Sequence, residues 1–165
     1  MEVVDDFLSY EQFREIKDSM MYPMETSRLN NFPWFLMEYD PAAQPLMFVH
    51  LFYTDGTINS TAYELLTGLI DKIKDKDNLD TMIRIKANMY MGKDDLILHN
   101  EHTDYPYSHK GAIFYMDNSD GYTVIESQKV ESKENRIVFL DPSIPHASTN
   151  CSDSKYRTTI NFNYL

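Results

Sequence analysis

The sequence predicts an α+β protein, with helices in its first half and a β sandwich or barrel in its second. Helix-spaced apolar residues occur only before residue 80. Beyond it, period-2 alternation takes over, and short apolar runs recur between turn residues with no helical stretch among them. Aromatic content of 13%, with 12 Tyr and 9 Phe, also fits a β-rich body. At 165 residues the chain reads as one domain, with residues 1–80 as support and 81–165 as the core that carries the site.

Taken in order, Ser9 and Gln12 form a capping-box pattern, and Phe13, Ile16 and Met20 follow at helical spacing, which predicts a helix over Tyr10–Met20. Trp34–Tyr39 and Leu46–Tyr53 are aromatic and aliphatic runs punctuated by Pro41, Pro45 and Asp55-Gly56, and read as strands. Thr61 with Glu64 predicts a second capped helix. Ala62, Leu65, Leu66, Leu69, Ile70 and Ile73 form its apolar stripe, and the charged Lys74–Asp80 is expected to end it.

Ile83, Ile85, Ala87, Met89 and Met91 then alternate with Arg84, Lys86, Asn88 and Tyr90, as in a half-buried strand. Further strands are expected over Asp95–His102, Gly111–Met116, Tyr122–Glu126, Lys129–Glu131, Arg136–Leu140, His146–Thr149 and Tyr156–Tyr164. Gly92, Asp120-Gly121, Asn135 and Asp141-Pro142 supply turns between several of them.

Bulk composition narrows the function classes. A net charge of −11 disfavours a nucleic-acid partner, because phosphate contacts need clustered Lys and Arg. A single Cys151 allows no intramolecular disulfide and fits a reducing compartment. The acidic start lacks the basic and apolar regions of a signal peptide, and no apolar run nears the roughly 20 residues of a membrane span. A cytoplasmic protein without membrane attachment is expected.

The chemistry concentrates in His102-Thr-Asp104, His146 and Arg157-Thr-Thr159. Two imidazoles and one carboxylate suit a divalent first-row metal, and three protein ligands leave half of an octahedron open. In a strand, positions i and i+2 share a face, so His102 and Asp104 can converge on one ion. By the same rule Arg157, Thr159, Asn161 and Asn163 share a polar face, opposite Tyr156, Thr158, Ile160, Phe162 and Tyr164. A buried polar stripe needs hydrogen-bonding partners, and Arg157 is a permanently charged fork suited to a carboxylate.

At these residues the chain resembles the Fe(II)- and 2-oxoglutarate-dependent dioxygenases, particularly their prolyl-4-hydroxylase-like branch. The resemblance covers roughly residues 82–165. It includes Asn88-Met-Tyr90-Met-Gly92 before the HxD segment, and Gly111–Asp117 leading to the hairpin Gly121-Tyr-Thr123. It also includes Asn135-Arg-Ile-Val-Phe-Leu-Asp141 before Pro145-His146, and finally Arg157-Thr-Thr159. In size the chain looks like small oxygenases found in phage genomes.

What the resemblance implies is a double-stranded β-helix, or jelly-roll, barrel with N-terminal helices packed against it. His102, Asp104 and His146 would be the catalytic iron ligands. Arg157 and Thr159 would bind the distal carboxylate of 2-oxoglutarate, with Tyr90 and, as a weaker candidate, Asn88 contacting the same co-substrate. With O2 this chemistry releases succinate and CO2 and hydroxylates a substrate. The branch makes an amino-acid or peptidyl side chain, prolyl among them, the first expectation. Two other classes fit part of the pattern: a cupin-like metal-binding barrel, isomerase or sugar-binding, which gives Arg157 no role, and a barrel that binds without catalysis.

Other residues read more plainly. His99 lies an odd number of residues from His102, on the opposite strand face, which predicts a surface or supporting role. His50 reads as a hydrogen-bonded core histidine, His109 as solvated in a loop, and Trp34-Phe35 as core under the first helix. Tyr105-Pro-Tyr107 either lines a substrate channel or packs on the rim. Cys151 has no paired base and reads as no nucleophile.

Overall fold

The computed structural model describes residues 1–22, 32–37 and 46–165. The elements run β1 (Glu2–Val4), α1 (Tyr10–Met21), β2 (Phe35–Met37), β3 (Met47–Thr54), β4 (Thr57–Ile58), a 3-10 helix (Thr61–Leu66) and α2 (Thr67–Asp77). Then follow β5 (Met82–Met91), β6 (Lys110–Tyr115), β7 (Tyr122–Ile125), β8 (Gln128–Glu131), β9 (Arg136–Leu140), β10 (His146–Ser148) and β11 (Tyr156–Tyr164). β2 falls within the strand expected over Trp34–Tyr39. The last two residues of that stretch, and Pro41 and Pro45, lie outside the described residues.

Helix α1 begins as expected. The Ser9 hydroxyl accepts from the Gln12 backbone N–H, and the Gln12 side chain accepts from the Ser9 N–H, both at 3.2 Å. Its buried face, Phe13, Ile16 and Met20, follows the predicted stripe, and Phe13 meets Phe114 of the sheet edge-on at 6.1 Å. The second helical segment departs from expectation at both ends. Ser60, not Thr61, is its N-cap, accepting from Ala62 N–H at 3.1 Å. Its far end runs on through Lys74–Asp77 and stops at Asn78, whose φ of 50° is left-handed. Charged residues pointing to solvent do not break a helix. A left-handed Asn does.

Eight strands form one sheet in the order β1-β9-β6-β11-β5-β3-β2, with β4 paired to β3 at its margin; β10-β7-β8 form a second, smaller sheet. One face of the large sheet presents Phe52, Ile85, Ala87, Phe114, Ile160 and Phe162 to the helices, in the larger apolar core. The opposite face contributes Ile113, Tyr115, Val138 and Leu140 to a smaller core with Ile125 and Val130 of the small sheet. Both faces of the central strands are therefore covered. β5 is not half-exposed as its alternation suggested: Ile85 and Ala87 are buried on one face, Asn88 and Tyr90 on the other.

The strand expected over Asp95–His102 does not form. Only isolated bridges, Leu98 to Thr149 and His102 to His146, join this segment to its neighbours. The Asn150 side chain captures Ile97 N–H at 2.6 Å, where a ladder would use backbone, and Leu96, Ile97 and Leu98 stay largely exposed. Two short edge strands were not anticipated, β1 and β4. β7 ends at Ile125 because Glu126 and Ser127 make a two-residue turn with φ of 49° and 65°. Such a turn usually carries Asn or Gly, so this sequence does not announce it. Among the described residues no helix is long and apolar enough to cross a membrane.

Candidate metal and carboxylate site

His102 and His146 meet because their backbones are paired. His102 N–H donates to the His146 carbonyl and His146 N–H to the His102 carbonyl, both at 3.0 Å. Residues that exchange both hydrogen bonds lie directly opposite one another and point their side chains the same way. The rings accordingly sit 4.6 Å apart, centroid to centroid. Asp104, two residues on, is tied by its N–H to the Pro142 carbonyl at 3.0 Å. One ligand atom from each of His102, Asp104 and His146 lies within 4.8 Å of the others.

The protonation states suit a cation. His146 Nδ1 lies 3.0 Å from the Ile144 carbonyl and donates to it, which leaves Nε2 as a lone pair facing the cluster. Desolvation of the ring, then the neighbouring His146, holds His102 below its ordinary pKa and keeps it neutral. For Asp104, burial favours the protonated form. Arg84, 2.8 Å away, and an Asn163 hydrogen bond at 2.8 Å outweigh it and hold the carboxyl below the usual range. Two neutral nitrogens and one anionic oxygen fit a divalent first-row metal with open coordination positions.

The residues singled out from sequence, His102, Asp104, His146, Arg157, Thr159, Tyr90 and Asn88, all line one cavity of about 300 Å3. Its floor is a ladder of polar cross-strand pairs from β5 and β11: Tyr90 opposite Arg157, Asn88 opposite Thr159, Lys86 opposite Asn161, Arg84 opposite Asn163. Arg157 is fully buried. Its guanidinium donates to Ser132 Oγ at 3.1 Å, the Thr149 carbonyl at 3.1 Å and Thr123 Oγ1 at 2.9 Å. It also lies 5.7 Å from the Tyr90 ring and 5.5 Å from the Tyr115 ring. None of these partners is a carboxylate, and among the described residues Arg157 forms no ion pair. A buried cation with only neutral partners is costly unless an anion completes it. Gly121 makes room for it: a Cβ there would collide with Arg157 Cδ and the Asn150 carbonyl.

The other expected contacts are placed with more nuance. Tyr90 Oη accepts from Ser148 Oγ at 3.1 Å, and Asn88 Oδ1 is buried without a partner among the described residues. The Thr159 hydroxyl donates to Asn161 Oδ1 at 3.0 Å. His99 is outside the metal cluster but is not at the surface. It is buried 5.1 Å from the Tyr90 ring, and burial, then the Arg157 charge, pushes its pKa down to about 4.

His109 is buried rather than solvated. Its Nδ1 meets the Tyr107 carbonyl at 2.8 Å and its Nε2 meets Asn163 Nδ2 at 3.1 Å. Tyr105 and Tyr107 pack against that histidine and are not among the residues that line the cavity. His50 is the core histidine expected, 2.7 Å from the Pro33 carbonyl. Trp34 packs on the core and reaches the Met20 carbonyl at 3.4 Å, whereas Phe35 is exposed. Cys151 is buried, and burial pushes its thiol up to about 11, which suits no nucleophile.

Arg84 and Lys86 line the cavity without having been assigned to it from sequence, Asn161 and Asn163 had been placed only on the polar face of the last strand, and His109 had been read as solvated. For the four strand residues the signal available was the pairing of two polar strand faces, β5 against β11, which becomes visible only with their register.

No protein-family model matches the chain, and no curated protein does either. Solved structures do. A prolyl hydroxylase from Trichoplax adhaerens, in complex with a hypoxia inducible factor oxygen degradation domain peptide fragment, superposes with a TM-score of 0.67 at 9% identity, over 99% of this chain and 82% of that one. A Pseudomonas putida prolyl-4-hydroxylase gives 0.67 at 10% identity, over 99% and 90%. SnoN, a non-heme alpha ketoglutarate dependent epimerase from nogalamycin biosynthesis, gives 0.69 at 11%, over 99% and 76%. The chain thus shares the fold of 2-oxoglutarate/Fe(II) oxygenases, prolyl hydroxylases among them.

Proposed function

We propose that this chain is an Fe(II)- and 2-oxoglutarate-dependent oxygenase that hydroxylates an amino-acid or peptidyl side chain. The observation that carries the reading is Arg157: a buried guanidinium whose hydrogen-bonding partners among the described residues are all neutral, in the same cavity as the His102, Asp104 and His146 cluster. A cupin-like metal barrel would need no such cation. The two sheets support a jelly-roll reading of the core, with α1 and α2 on the outer face of the large sheet and residues 1–165 acting as one unit.

In this reading His102, Asp104 and His146 hold the iron, and the metal supplies the activation of O2 coupled to oxidative decarboxylation of the keto acid to succinate and CO2. The chain's part is binding and orientation. Arg157 receives the distal carboxylate of 2-oxoglutarate, and Ser132, Thr123 and the Thr149 carbonyl fix the plane of its fork. Tyr90 would hydrogen-bond the same co-substrate, and Asn88, whose Oδ1 has no partner among the described residues, is the weaker candidate for contact with it. Thr159 and Asn161 orient each other at the cavity floor.

Anaerobic titration with Fe(II) and 2-oxoglutarate tests this. A weak charge-transfer band in the visible range is expected when the keto acid chelates the metal. Arg157→Ala should weaken co-substrate affinity on the order of 10–100-fold, the cost of losing charge-assisted hydrogen bonds. No band in the unsubstituted protein, or an equal affinity in the variant, would overturn the assignment.

A further inference from the structure

Lys86 stands in the ladder one row from the Arg84/Asn163 pair that grips Asp104, and two rows from Arg157. It lines the same cavity and is only partly exposed. Every other cation lining that cavity has hydrogen-bonding partners. Arg84 is paired with Asp104 at 2.8 Å and donates to Asn163 at 3.2 Å, and Arg157 has the oxygens described above. Among the described residues Lys86 forms neither a hydrogen bond nor an ion pair. Asn161, directly across from it, spends its Oδ1 on the Thr159 hydroxyl, which leaves its amide hydrogens as donors beside the ammonium.

Charge points the same way. Arg84, Lys86 and Arg157 set against Asp104 leave two excess positive charges on the lining side chains. A divalent metal and a dianionic keto acid cancel each other, so the loaded cavity keeps that excess. A desolvated ammonium is stable where an anion meets it.

We infer that the substrate of the proposed oxygenase is a small carboxylic acid or a free amino acid, and that Lys86, with the Asn161 amide, receives its carboxylate on the metal side of the cavity. A cavity of about 300 Å3 that must also take the keto acid suits a small molecule. The inference rests on the oxygenase reading and deepens it. It replaces the internal residue of a peptide with a molecule bearing a free carboxylate. Lys86 becomes a specificity residue, and the carboxylate fixes which carbon faces the iron.

The test uses full-length protein loaded anaerobically with Fe(II) and 2-oxoglutarate. It is titrated calorimetrically with free amino acids, short aliphatic carboxylic acids and the matching primary amides; the same compounds are then scored in air for stimulated succinate release. At least one acid should bind, with its amide weaker on the order of 10-fold or more. Lys86→Met should abolish that preference while the charge-transfer titration of 2-oxoglutarate is retained, and Lys86→Arg should restore part of it. Acids and amides binding alike, or no acid binding while the charge-transfer band is present, overturns the inference and leaves the oxygenase reading standing. A Lys86→Met variant that weakens 2-oxoglutarate binding itself assigns the lysine to the co-substrate and overturns the inference as well. A missing band in the unsubstituted protein is a different result, and removes the oxygenase reading first.

Discussion

Asn163 gives its side-chain amide nitrogen to two acceptors at once, Asp104 Oδ2 at 2.8 Å and His109 Nε2 at 3.1 Å. Its Oδ1 meanwhile accepts from Arg84 Nε at 3.2 Å, while another nitrogen of the same guanidinium holds Asp104 Oδ1 at 2.8 Å. Every donor and acceptor in this ring is used consistently. His109 donates from Nδ1 to the Tyr107 carbonyl, so its Nε2 must accept; that fixes the Asn163 amide, which in turn fixes the carboxylate. The ring orients Asp104 before any ion arrives.

Removing Asn163 should therefore cost metal affinity more than stability. Asn163→Ala is expected to weaken divalent metal binding by roughly 10–100-fold, as other supports of metal ligands do. His109→Phe keeps the ring volume and drops the acceptor, and should move affinity the same way by less. Anaerobic titration with Fe(II) or Co(II) reads both. Unchanged affinity in the pair would mean that Asp104 needs no such support.

Gly121 is the glycine at which a single added methyl should be felt by Arg157 directly. In Gly121→Ala the new carbon meets Arg157 Cδ and the Asn150 carbonyl, and neither can retreat within a buried cluster. Overpacking of this kind costs about 1–3 kcal/mol. Displacement of the guanidinium should weaken 2-oxoglutarate binding on the order of 10-fold or more, with little change in metal affinity. Parallel titrations of metal and keto acid separate the two effects. Loss of metal binding in step with keto-acid binding would show that the small sheet as a whole had moved.

How much of this site was legible in the sequence depends on which contacts are local. His102 and Asp104 could be grouped because they lie two positions apart, and Arg157 and Thr159 for the same reason. That His146 lies opposite His102 could be expected only through family resemblance, since the pairing bridges two stretches 44 positions apart (146 minus 102) with one isolated bridge. Arg84 and Lys86 read as the wet side of an alternating strand because alternation reports two faces and not what covers them. Here the small sheet and the HxD segment cover the polar face. His109 follows Tyr-Pro-Tyr-Ser, a loop composition, and its burial comes from Tyr105 and Tyr107 folding back over it. The error over Asp95–His102 is of the same kind. Apolar residues suggested a ladder, but the side chain of Asn150 took its place.

Asn135 ties the N-terminus to the core, and its loss should be felt as stability. It adopts a left-handed φ of 59°, and its side chain accepts from Leu8 N–H and donates to the Leu8 carbonyl, each at 2.9 Å. Asn135→Ala adds backbone strain of about 1–2 kcal/mol and strands two buried polar groups, so a loss on the order of 3 kcal/mol is expected. Asn135→Gly relieves the strain alone and should lose about 1 kcal/mol less. Urea unfolding at constant pH measures both. Equal losses in the two variants would place the whole effect in the hydrogen bonds.

Asp117 should make stability depend on pH in a direction opposite to most paired carboxylates. Its Oδ2 accepts from Thr158 N–H at 2.7 Å, while Oδ1 is buried without a partner among the described residues. Burial raises its pKa from 3.8 to about 6, against the pull of the Thr158 hydrogen bond and the Arg157 charge. Between these values the folded chain holds a proton that the unfolded chain has released. Stability from this group is therefore complete below pH 3.8 and is lost as pH rises through about 6, by an amount on the order of 3 kcal/mol. Asp117→Asn keeps an acceptor for Thr158 and has no proton to lose. Its unfolding free energy relative to the unsubstituted protein should rise between pH 4 and pH 7, read from urea curves at several pH values. A difference that stays flat across that interval would show that the Asp117 carboxyl titrates in the folded chain as it does in water.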